Sequence, residues 1–257
     1  MHCNRSGEFQ MELLNLAEVK NFVNENISIF HENKLKTFRS INLKELLKKK
    51  NPYLFRAKNI TLASELVKGV LEAFLSSSEE KIFGDFLEEL AVFISSKTCC
   101  GRKSAATGID LEFENAGTLY LVSVKSGPNW GNSSQQRKQE QDFQNAVKVL
   151  KQSKYTQNVQ PVLGICYGKV KTSHLRGYQK VVGQNFWYLI SENENLYTDI
   201  IEPLGHRAKQ HNDKFHRQKN KIVNLFTKEF LNTFCQNGEI DWKKLVEFNS
   251  GNLDLKR

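Results

Sequence analysis

Residues 108–127, GIDLEFENAGTLYLVSVKSG, decide the fold of this chain. Apolar and polar side chains alternate along two short runs, which is the pattern of two β-strands. The letters NAG at 115–117, between the two runs, predict a tight turn. A four-residue turn over 115–118 fixes the register of the hairpin and places Asp110 opposite Ser123.

The side chains of this hairpin divide between two faces, because neighbouring residues of a strand point to opposite sides. One face is apolar and is predicted to pack inward; it consists of Ile109, Leu111, Phe113, Tyr120, Val122 and Val124. The other face presents Asp110, Ser123 and Lys125 together, with Glu112 nearby. Such a face is an ordinary solvated surface unless the rest of the sequence gives it a chemical role.

The segments around the hairpin indicate a sheet flanked by helices. Helical periodicity covers 10–50, 62–75, 77–94, 132–150 and 198–248. Ser77 and Glu80 match a capping box, which predicts that a new helix starts there. Apolar runs at 159–167 and 186–190 are predicted to be strands. This order predicts an α/β fold with a central mixed sheet flanked by helices and with helical N- and C-terminal extensions.

The charge of the chain favours a polyanionic partner, most often nucleic acid, because the formal net charge is +9. No apolar run approaches the roughly 20 residues needed to span a bilayer, so we expect no membrane partner. The first residues, MHCNRSGEFQMELL, lack the apolar stretch of a secretion signal. We therefore expect a protein of the cytoplasm.

Acids and a lysine on one face of a sheet suit the hydrolysis of phosphodiester bonds. Carboxylates are the usual protein ligands of Mg²⁺, and a neighbouring lysine can orient a water molecule and offset developing charge. We expect Asp110 to bind Mg²⁺, with the carbonyl of Val124 as a further ligand, and Lys125 to contact the attacking water. The loop SGPNWGN at 126–132 leads into a helix whose free amides can bind phosphate.

The hairpin resembles the PD-(D/E)XK nuclease signature, in which an acid on one strand precedes an acid-x-Lys on the next. An ordered set of segments resembles, more specifically, the PmeII-like group of type II restriction endonucleases: NPYLFRAKN (51–59), IFGDFLEELA (82–91), GIDLEF (108–113), SVKSGPNWGNSSQ (123–135) and ICYG (165–168). The resemblance covers about residues 50–190. It implies Mg²⁺-dependent, site-specific hydrolysis of double-stranded DNA that leaves 5′-phosphate and 3′-hydroxyl ends.

One position departs from this signature, because Ser123 stands where the family has Asp or Glu. Serine is a poor ligand for Mg²⁺, so another carboxylate should supply the missing charge. Glu88 is the first candidate, since it resembles the helix glutamate of other superfamily members, and only one of Glu88 and Glu89 can face the sheet. Glu112 and Glu140 are the alternatives. The predicted catalytic set is Asp110, Lys125, Ser123 and Glu88, and the predicted metal ligands are Asp110, Glu88, Val124 and Glu112.

The predicted DNA contacts lie in the segment that follows the hairpin and in a basic loop at 169–180. The basic loop is the candidate for base readout, because Arg and Lys pair with guanine edges in the major groove. Solvation or phosphate contact is the alternative role for this loop. The predicted DNA-binding residues are Asn129, Trp130, Asn132, Ser133, Arg137, Lys171, His174, Arg176 and Lys180.

The resemblance also implies a homodimer acting on palindromic sites and paired with a DNA methyltransferase in a restriction-modification system. Three regions follow: a helical region at 1–50 available for dimerisation, a catalytic core with DNA-contacting loops at 51–192, and a helical region at 193–257. Two alternatives stay open. One is a structure-specific repair or recombination nuclease of the same superfamily, and the other is a non-catalytic DNA-binding protein with a decayed site, which Ser123 favours.

Overall fold

The structure is a computed structural model that describes residues 12–153, 158–175 and 177–254. The helices are α1 (Leu16–Arg39), α2 (Leu43–Lys48), α3 (Pro52–Ala57), α4 (Ala63–Thr98), α5 (Ser133–Gln152), α6 (Gln184–Ser191), α7 (Leu196–Asp199), α8 (Ile201–Leu204), α9 (Ala208–Phe234) and α10 (Trp242–Ser250). The strands are β1 (Arg102–Lys103), β2 (Leu111–Asn115), β3 (Thr118–Lys125), β4 (Asn158–Ile165), β5 (Ser173–Leu175), β6 (Tyr178–Val182), β7 (Cys235–Gln236) and β8 (Glu239–Ile240). None of the helices in these ranges is long and apolar enough to cross a membrane.

The central sheet is mixed, with six strands in the order β1-β2-β3-β4-β6-β5. The pairs β3–β4 and β4–β6 are parallel, and the pairs β1–β2, β2–β3 and β5–β6 are antiparallel. The chain passes from β3 to β4 through α5, because parallel neighbours need a crossover connection. This architecture confirms the predicted α/β fold with a mixed sheet flanked by helices.

The hairpin β2–β3 has the predicted register. Asn115 pairs with Thr118 across the turn. The two central residues, Ala116 and Gly117, have φ angles of 47° and 71°. A two-residue turn with both φ angles positive matches the natural twist of the two strands. Turn length and strand alternation therefore determine which side chains meet across the hairpin.

Both faces of the hairpin are covered, and one prediction about these faces is wrong. Ile109 packs with Leu119 and with Phe143 of α5 in a single core cluster, although it was predicted to lie on the opposite face. Strand β2 begins only at Leu111, so the alternation of a strand does not extend back to Ile109. The face that carries Asp110 is thus largely buried under α5.

Residues 186–190 belong to helix α6, so the strand predicted there is wrong. This helix buries Phe186, Trp187 and Ile190, which lie on one side of it. A short apolar run of this length is compatible with either a helix or a strand. The ring of Phe186 lies against Gly164 of β4, which puts α6 on the sheet face opposite to α5.

Helix α4 is continuous where two helices were predicted. The hydroxyl of Ser77 donates to the carbonyl of Ala73 at 3.1 Å, so it bonds back within the helix and does not cap a new one. Helix α5 and strand β4, in contrast, confirm the helix and strand predicted at 132–150 and 159–167.

The chain divides into two compact units. The first comprises Met1–Ile27 and Phe83–His206 and contains the six-stranded sheet. The second comprises Ser28–Ile82 and Arg207–Arg257, with its own apolar core and the two-stranded sheet β7–β8. The three functional regions proposed from the sequence stay a prediction.

Candidate functional site

Asp110 is fixed by the strand beside it. Its backbone amide donates to the carbonyl of Val122 at 2.9 Å, and its Oδ2 accepts the backbone N–H of Val124 at 2.6 Å. The Nζ of Lys125 lies 3.6 Å from the same oxygen. The side chains of Asp110 and Lys125 are 20% and 29% exposed, so both are partly buried yet reachable from solvent. The hairpin therefore presents a carboxylate and an ammonium group side by side.

Three neighbours confine the ammonium group of Lys125. Its Nζ donates to the carbonyl of Val124 at 3.0 Å and lies 5.9 Å from the centre of the Trp130 ring. With Asp110, these groups hold the positive charge at the end of β3, where the loop to α5 begins. The carbonyl of Val124, a predicted metal ligand, therefore lies next to the ammonium group of Lys125.

Glu88 of α4 is the second acid near Asp110. Burial raises the pKa of the Glu88 carboxyl and the negative charge of Asp110 raises it further, whereas Lys103 and Lys125 lower it. Nζ of Lys103 lies 3.4 Å from Oε1 of Glu88. The neighbouring Glu89 is exposed. Of the two glutamates, Glu88 is the one that interacts electrostatically with Asp110 and Lys125.

Ser123 is fully buried, with a relative exposure of 0%. Its hydroxyl lies 3.2 Å from Oδ2 of Asp110 and 2.9 Å from Oε1 of Gln139 on α5. The Nε2 of Gln139 donates to the carbonyl of Gly108 at 2.9 Å. Ser123 thus takes part in an internal hydrogen-bond network, and its catalytic role stays a prediction.

The role of Gln139 was not predicted from the sequence. Its burial could have been predicted, because Gln139, Phe143 and Ala146 recur at spacings of four and three and form the buried row of α5. A polar residue in that buried row needs a hydrogen-bond partner. Lys103 was also missed, because the two-residue edge strand β1 has no pattern that reveals its pairing.

The other acids considered from the sequence have different partners. Glu112 accepts the Nε–H of Arg102 at 2.7 Å and the hydroxyl of Ser104 at 3.0 Å. The pKa of Tyr178 is raised by burial and, next, by the charge of Glu140, which places Glu140 near that side chain. The metal-binding role of Glu112 stays a prediction.

The oxygen atoms at Asp110 and Glu88 fit a hard divalent cation such as Mg²⁺. In the described ranges, the hydrogen bonds and the ion pair of the Asp110 carboxylate all involve Oδ2. The described ranges contain no group of three or more His, Cys, Asp or Glu side chains that could hold a metal ion. The two acids are thus a pair, and further ligands would come from the carbonyl of Val124, water and phosphate.

The loops after β3 and β4 lie side by side. The backbone of Gly127 is in close contact with the ring of Tyr167, so closely that a Cβ at Gly127 would overlap it. A Cβ at Gly168 would lie 3.1 Å from the Pro128 ring. Both loops follow the carboxyl ends of neighbouring parallel strands, which is where open α/β sheets place their ligands.

The first group of predicted DNA contacts lies in the loop after β3 and the start of α5. Asn129, Ser133 and Arg137 are exposed, and Trp130 is half-buried. The side chain of Asn132 caps α5 and accepts two backbone N–H groups of its first turn. Its amide oxygen is therefore occupied, and its contact with DNA stays a prediction.

The second group lies on the hairpin β5–β6 and the loop before it. Lys171 and His174 are exposed, and Lys180 is half-buried on β6, where it pairs with Ser173. Arg176 lies outside the described residues. Lys171 thus lies in the loop that follows β4, and His174 and Lys180 lie on the hairpin that comes directly after this loop.

One family model matches most of the chain. The model of the type II restriction endonuclease EcoO109I matches residues 17–212. The matched range contains Glu88, Lys103, Asp110 and Lys125, and it includes the whole central sheet. No curated protein matches the chain.

Proposed function

The chain belongs to the family of the type II restriction endonuclease EcoO109I, and on this premise we propose that it cuts double-stranded DNA at a defined sequence by Mg²⁺-dependent hydrolysis. The observation that carries the proposal is the pairing of Asp110 with Lys125, whose Nζ lies 3.6 Å from Oδ2 on the neighbouring strand. We further propose a PD-(D/E)XK site of the PmeII-like type. Hydrolysis in such a site leaves 5′-phosphate and 3′-hydroxyl ends.

We propose that Asp110, Glu88 and the carbonyl of Val124 hold the ion. Support comes from the raised pKa of Glu88, whose second cause is the charge of Asp110, because only nearby carboxylates influence each other in this way. A bound Mg²⁺ would neutralise charge on the scissile phosphate and lower the pKa of a water molecule. Ser123 has no part in this set, since its hydroxyl is buried.

Lys125 is proposed to act on the attacking water. Its ammonium group has three hydrogens, and one of them is used by the carbonyl of Val124 at 3.0 Å. The others can bond a water molecule and the phosphate oxygen on which charge develops. The N–H of Val124 holds the carboxylate of Asp110, and the carbonyl of the same residue holds the ammonium group of Lys125. One backbone residue therefore keeps the two charged groups close together.

We propose that Lys171, His174, Arg176 and Lys180 read the sequence, and that the segment from Asn129 to Arg137 contacts phosphate and sugar. The exposure of Lys171 and His174 supports this role. A base-reading residue should change which sites are cut, whereas a phosphate contact should weaken binding equally for all sequences. Cutting a plasmid library with Lys171→Ala and Arg137→Ala separates the two effects.

A homodimer, a partner methyltransferase and a cytoplasmic location complete the proposal. A type II enzyme that cuts both strands of a palindrome needs two copies of this site, because two-fold protein symmetry matches two-fold DNA symmetry. The segments at 10–50 and 198–248, which the sequence predicts to be helical, are the proposed dimerisation elements. The second of these ranges also contains the strands β7 and β8. Light scattering of the protein with and without duplex DNA measures the number of chains directly.

A non-catalytic DNA-binding protein is the second candidate, and one observation favours it. The residue at the position of the family's second acid, Ser123, is buried and bonded internally. If no other carboxylate replaces it, the ion would be held by Asp110 alone among the acids. Binding of duplex DNA without cleavage at every Mg²⁺ or Mn²⁺ concentration would support this candidate.

The decisive experiment incubates the purified protein with several unmethylated plasmids and Mg²⁺, and sequences the ends produced. The wild type should give discrete fragments. Asp110→Asn and Lys125→Met should each lower the rate by about 100-fold or more, because each removes a charge that acts on the reacting groups. Asn is preferred to Ala at position 110 because its side-chain oxygen can still accept the Val124 N–H.

Neighbouring acids provide the controls. Glu88→Gln should abolish cutting, whereas Glu89→Gln, at an exposed position beside it on α4, should cut like the wild type. Loss of cutting in Glu112→Gln with normal cutting in Glu88→Gln would transfer the ligand role to Glu112. Undiminished cutting by Asp110→Asn would refute the proposed site.

A further inference from the structure

The edge strand β1 carries two neighbouring cations that pair with different acids. Nε of Arg102 lies 2.7 Å from Glu112 Oε1, and Nζ of Lys103 lies 3.4 Å from Glu88 Oε1. The two cations are 73% and 71% exposed, and each contacts a different acid. Glu88, the acid that Lys103 contacts, interacts electrostatically with Asp110.

Lys103 contacts the half-buried Glu88 carboxylate directly, with 3.4 Å between Nζ and Oε1. The same carboxylate interacts electrostatically with Asp110 and Lys125. An exposed lysine pair of this kind is weak, so another cation can replace it readily.

We propose that Lys103 is a positioning residue that holds the Glu88 carboxylate through their ion pair until a divalent ion binds, and that it then gives up the carboxylate to the ion. This inference rests on the proposed function, in which Glu88 is a metal ligand. Lys103 thus competes with the ion for the same carboxylate. Removing its charge should tighten ion binding and leave the ligands themselves intact.

The test titrates the full, metal-free chain with Mn²⁺ at about pH 8 without DNA, and follows the electron paramagnetic resonance signal of the free ion. Lys103→Met keeps most of the side chain and removes the charge; it should bind Mn²⁺ about three- to tenfold more tightly, the scale of one like charge near the ion in a water-exposed site. Lys103→Arg, which keeps the charge, should bind like the wild type.

Arg102→Met is the matched control, because it removes an equally exposed charge from the same strand. Its Mn²⁺ affinity should stay within about twofold of the wild type, because Arg102 contacts Glu112 and leaves the Glu88 carboxylate to Lys103. Equal tightening in Arg102→Met and Lys103→Met would overturn the proposal, since net charge alone would then account for it. Unchanged or weaker binding by Lys103→Met would overturn it as well.

Glu88→Gln separates this proposal from the proposed function. Weak Mn²⁺ binding by Glu88→Gln, together with no tightening in Lys103→Met, would refute the competition and leave Glu88 a ligand. Wild-type binding by Glu88→Gln would refute Glu88 as a ligand and with it the role of Lys103, whereas the proposed cleavage at Asp110 and Lys125 would still be tested by Asp110→Asn. In the double variant Glu88→Gln/Lys103→Met, the Mn²⁺ affinity should be less than about twofold higher than in Glu88→Gln alone, because the carboxylate for which Lys103 competes is gone.

Discussion

The hydroxyl of Ser123 lies 2.9 Å from the side-chain oxygen of Gln139, in a buried position between α5 and the sheet. The orientation of Gln139 is fixed, because its Nε2 donates to the carbonyl of Gly108. The oxygen that faces position 123 can therefore only accept a hydrogen bond. A serine satisfies this oxygen, whereas a carboxylate at the same position would repel it.

The first prediction concerns placing at position 123 the acid that the resemblance to the PD-(D/E)XK signature implies. Ser123→Asp should lower the free energy of unfolding by about 3 kcal/mol or more, because it buries a charge beside Asp110 and the oxygen of Gln139. Ser123→Ala should cost only about 1–2 kcal/mol, the scale of one buried acceptor left without a donor. Urea unfolding of both variants measures the difference.

Cleavage should follow the same order. Ser123→Ala should keep its rate within about tenfold of the wild type, since the Val124 N–H still holds Asp110. Ser123→Asp should be impaired. A stable Ser123→Asp variant that cuts faster than the wild type would show that position 123 can bind the ion directly.

The second prediction concerns Gly108, two residues before Asp110. Its φ is +75°, and a Cβ at this position would overlap the carboxyl group of Asp142 on α5. Gly108→Ala should therefore destabilise the protein by about 2–4 kcal/mol, from backbone strain and displacement of α5 together. Gly117, in the turn, has φ +71° and no atom near its Cβ position, so Gly117→Ala should cost only about 1 kcal/mol.

Thermal or urea unfolding compares these two glycine variants. The cleavage rate is a second measurement. The carbonyl of Gly108 accepts a hydrogen bond from Gln139, so moving Gly108 should loosen the position of Asp110 and lower the rate. Equal losses of stability in the two variants would mean that α5 does not pack against Gly108 as described.

The third prediction concerns pH and the second compact unit. The rings of His31 and His211 are stacked, with 4.2 Å between their centroids and an interplanar angle of 3°. Burial, then the charges of His211 and Lys34, lower the pKa of His31 from its ordinary value of 6.5 to about 4. Between these two values the unfolded chain binds the proton and the folded chain does not. The free energy of unfolding should therefore fall as the pH drops through this window.

Replacing the imidazole tests that dependence. His31→Phe keeps an aromatic ring against His211 and should lose less stability than the wild type between about pH 7 and about pH 4.5. His216→Gln, which removes an exposed imidazole from α9, should keep the wild-type dependence. Urea unfolding at a series of pH values gives the slopes. An identical slope in His31→Phe would assign the dependence to other groups.

The sequence predicts those parts of the site that depend on local geometry. Turn length and the register that it fixes are enough to bring Asp110, Ser123 and Lys125 together, and this is how they lie. The partners contributed by distant segments could not be predicted in this way. Gln139 reaches Ser123 from a crossover helix, and Lys103 reaches Glu88 from an edge strand of two residues.

The errors in the predicted fold have a related cause. Ile109 precedes the point where strand alternation begins, so its face follows from packing against Phe143 and not from periodicity. The apolar run at 186–190 suits either a strand or a helix, and only its contact with Gly164 on the sheet decides between them.

The contacts of Gly127 with Tyr167 and of Gly168 with Pro128 have a consequence for fidelity. The segment proposed to inspect bases is continuous with Tyr167, and the segment proposed to lie beside the scissile bond is continuous with Gly127. A mismatched base pair that shifts the first segment should also shift the second, because Gly127 packs against Tyr167 and Gly168 faces Pro128. An incorrect sequence should then slow the cutting step itself, so that discrimination exceeds what the difference in binding affinity alone would provide.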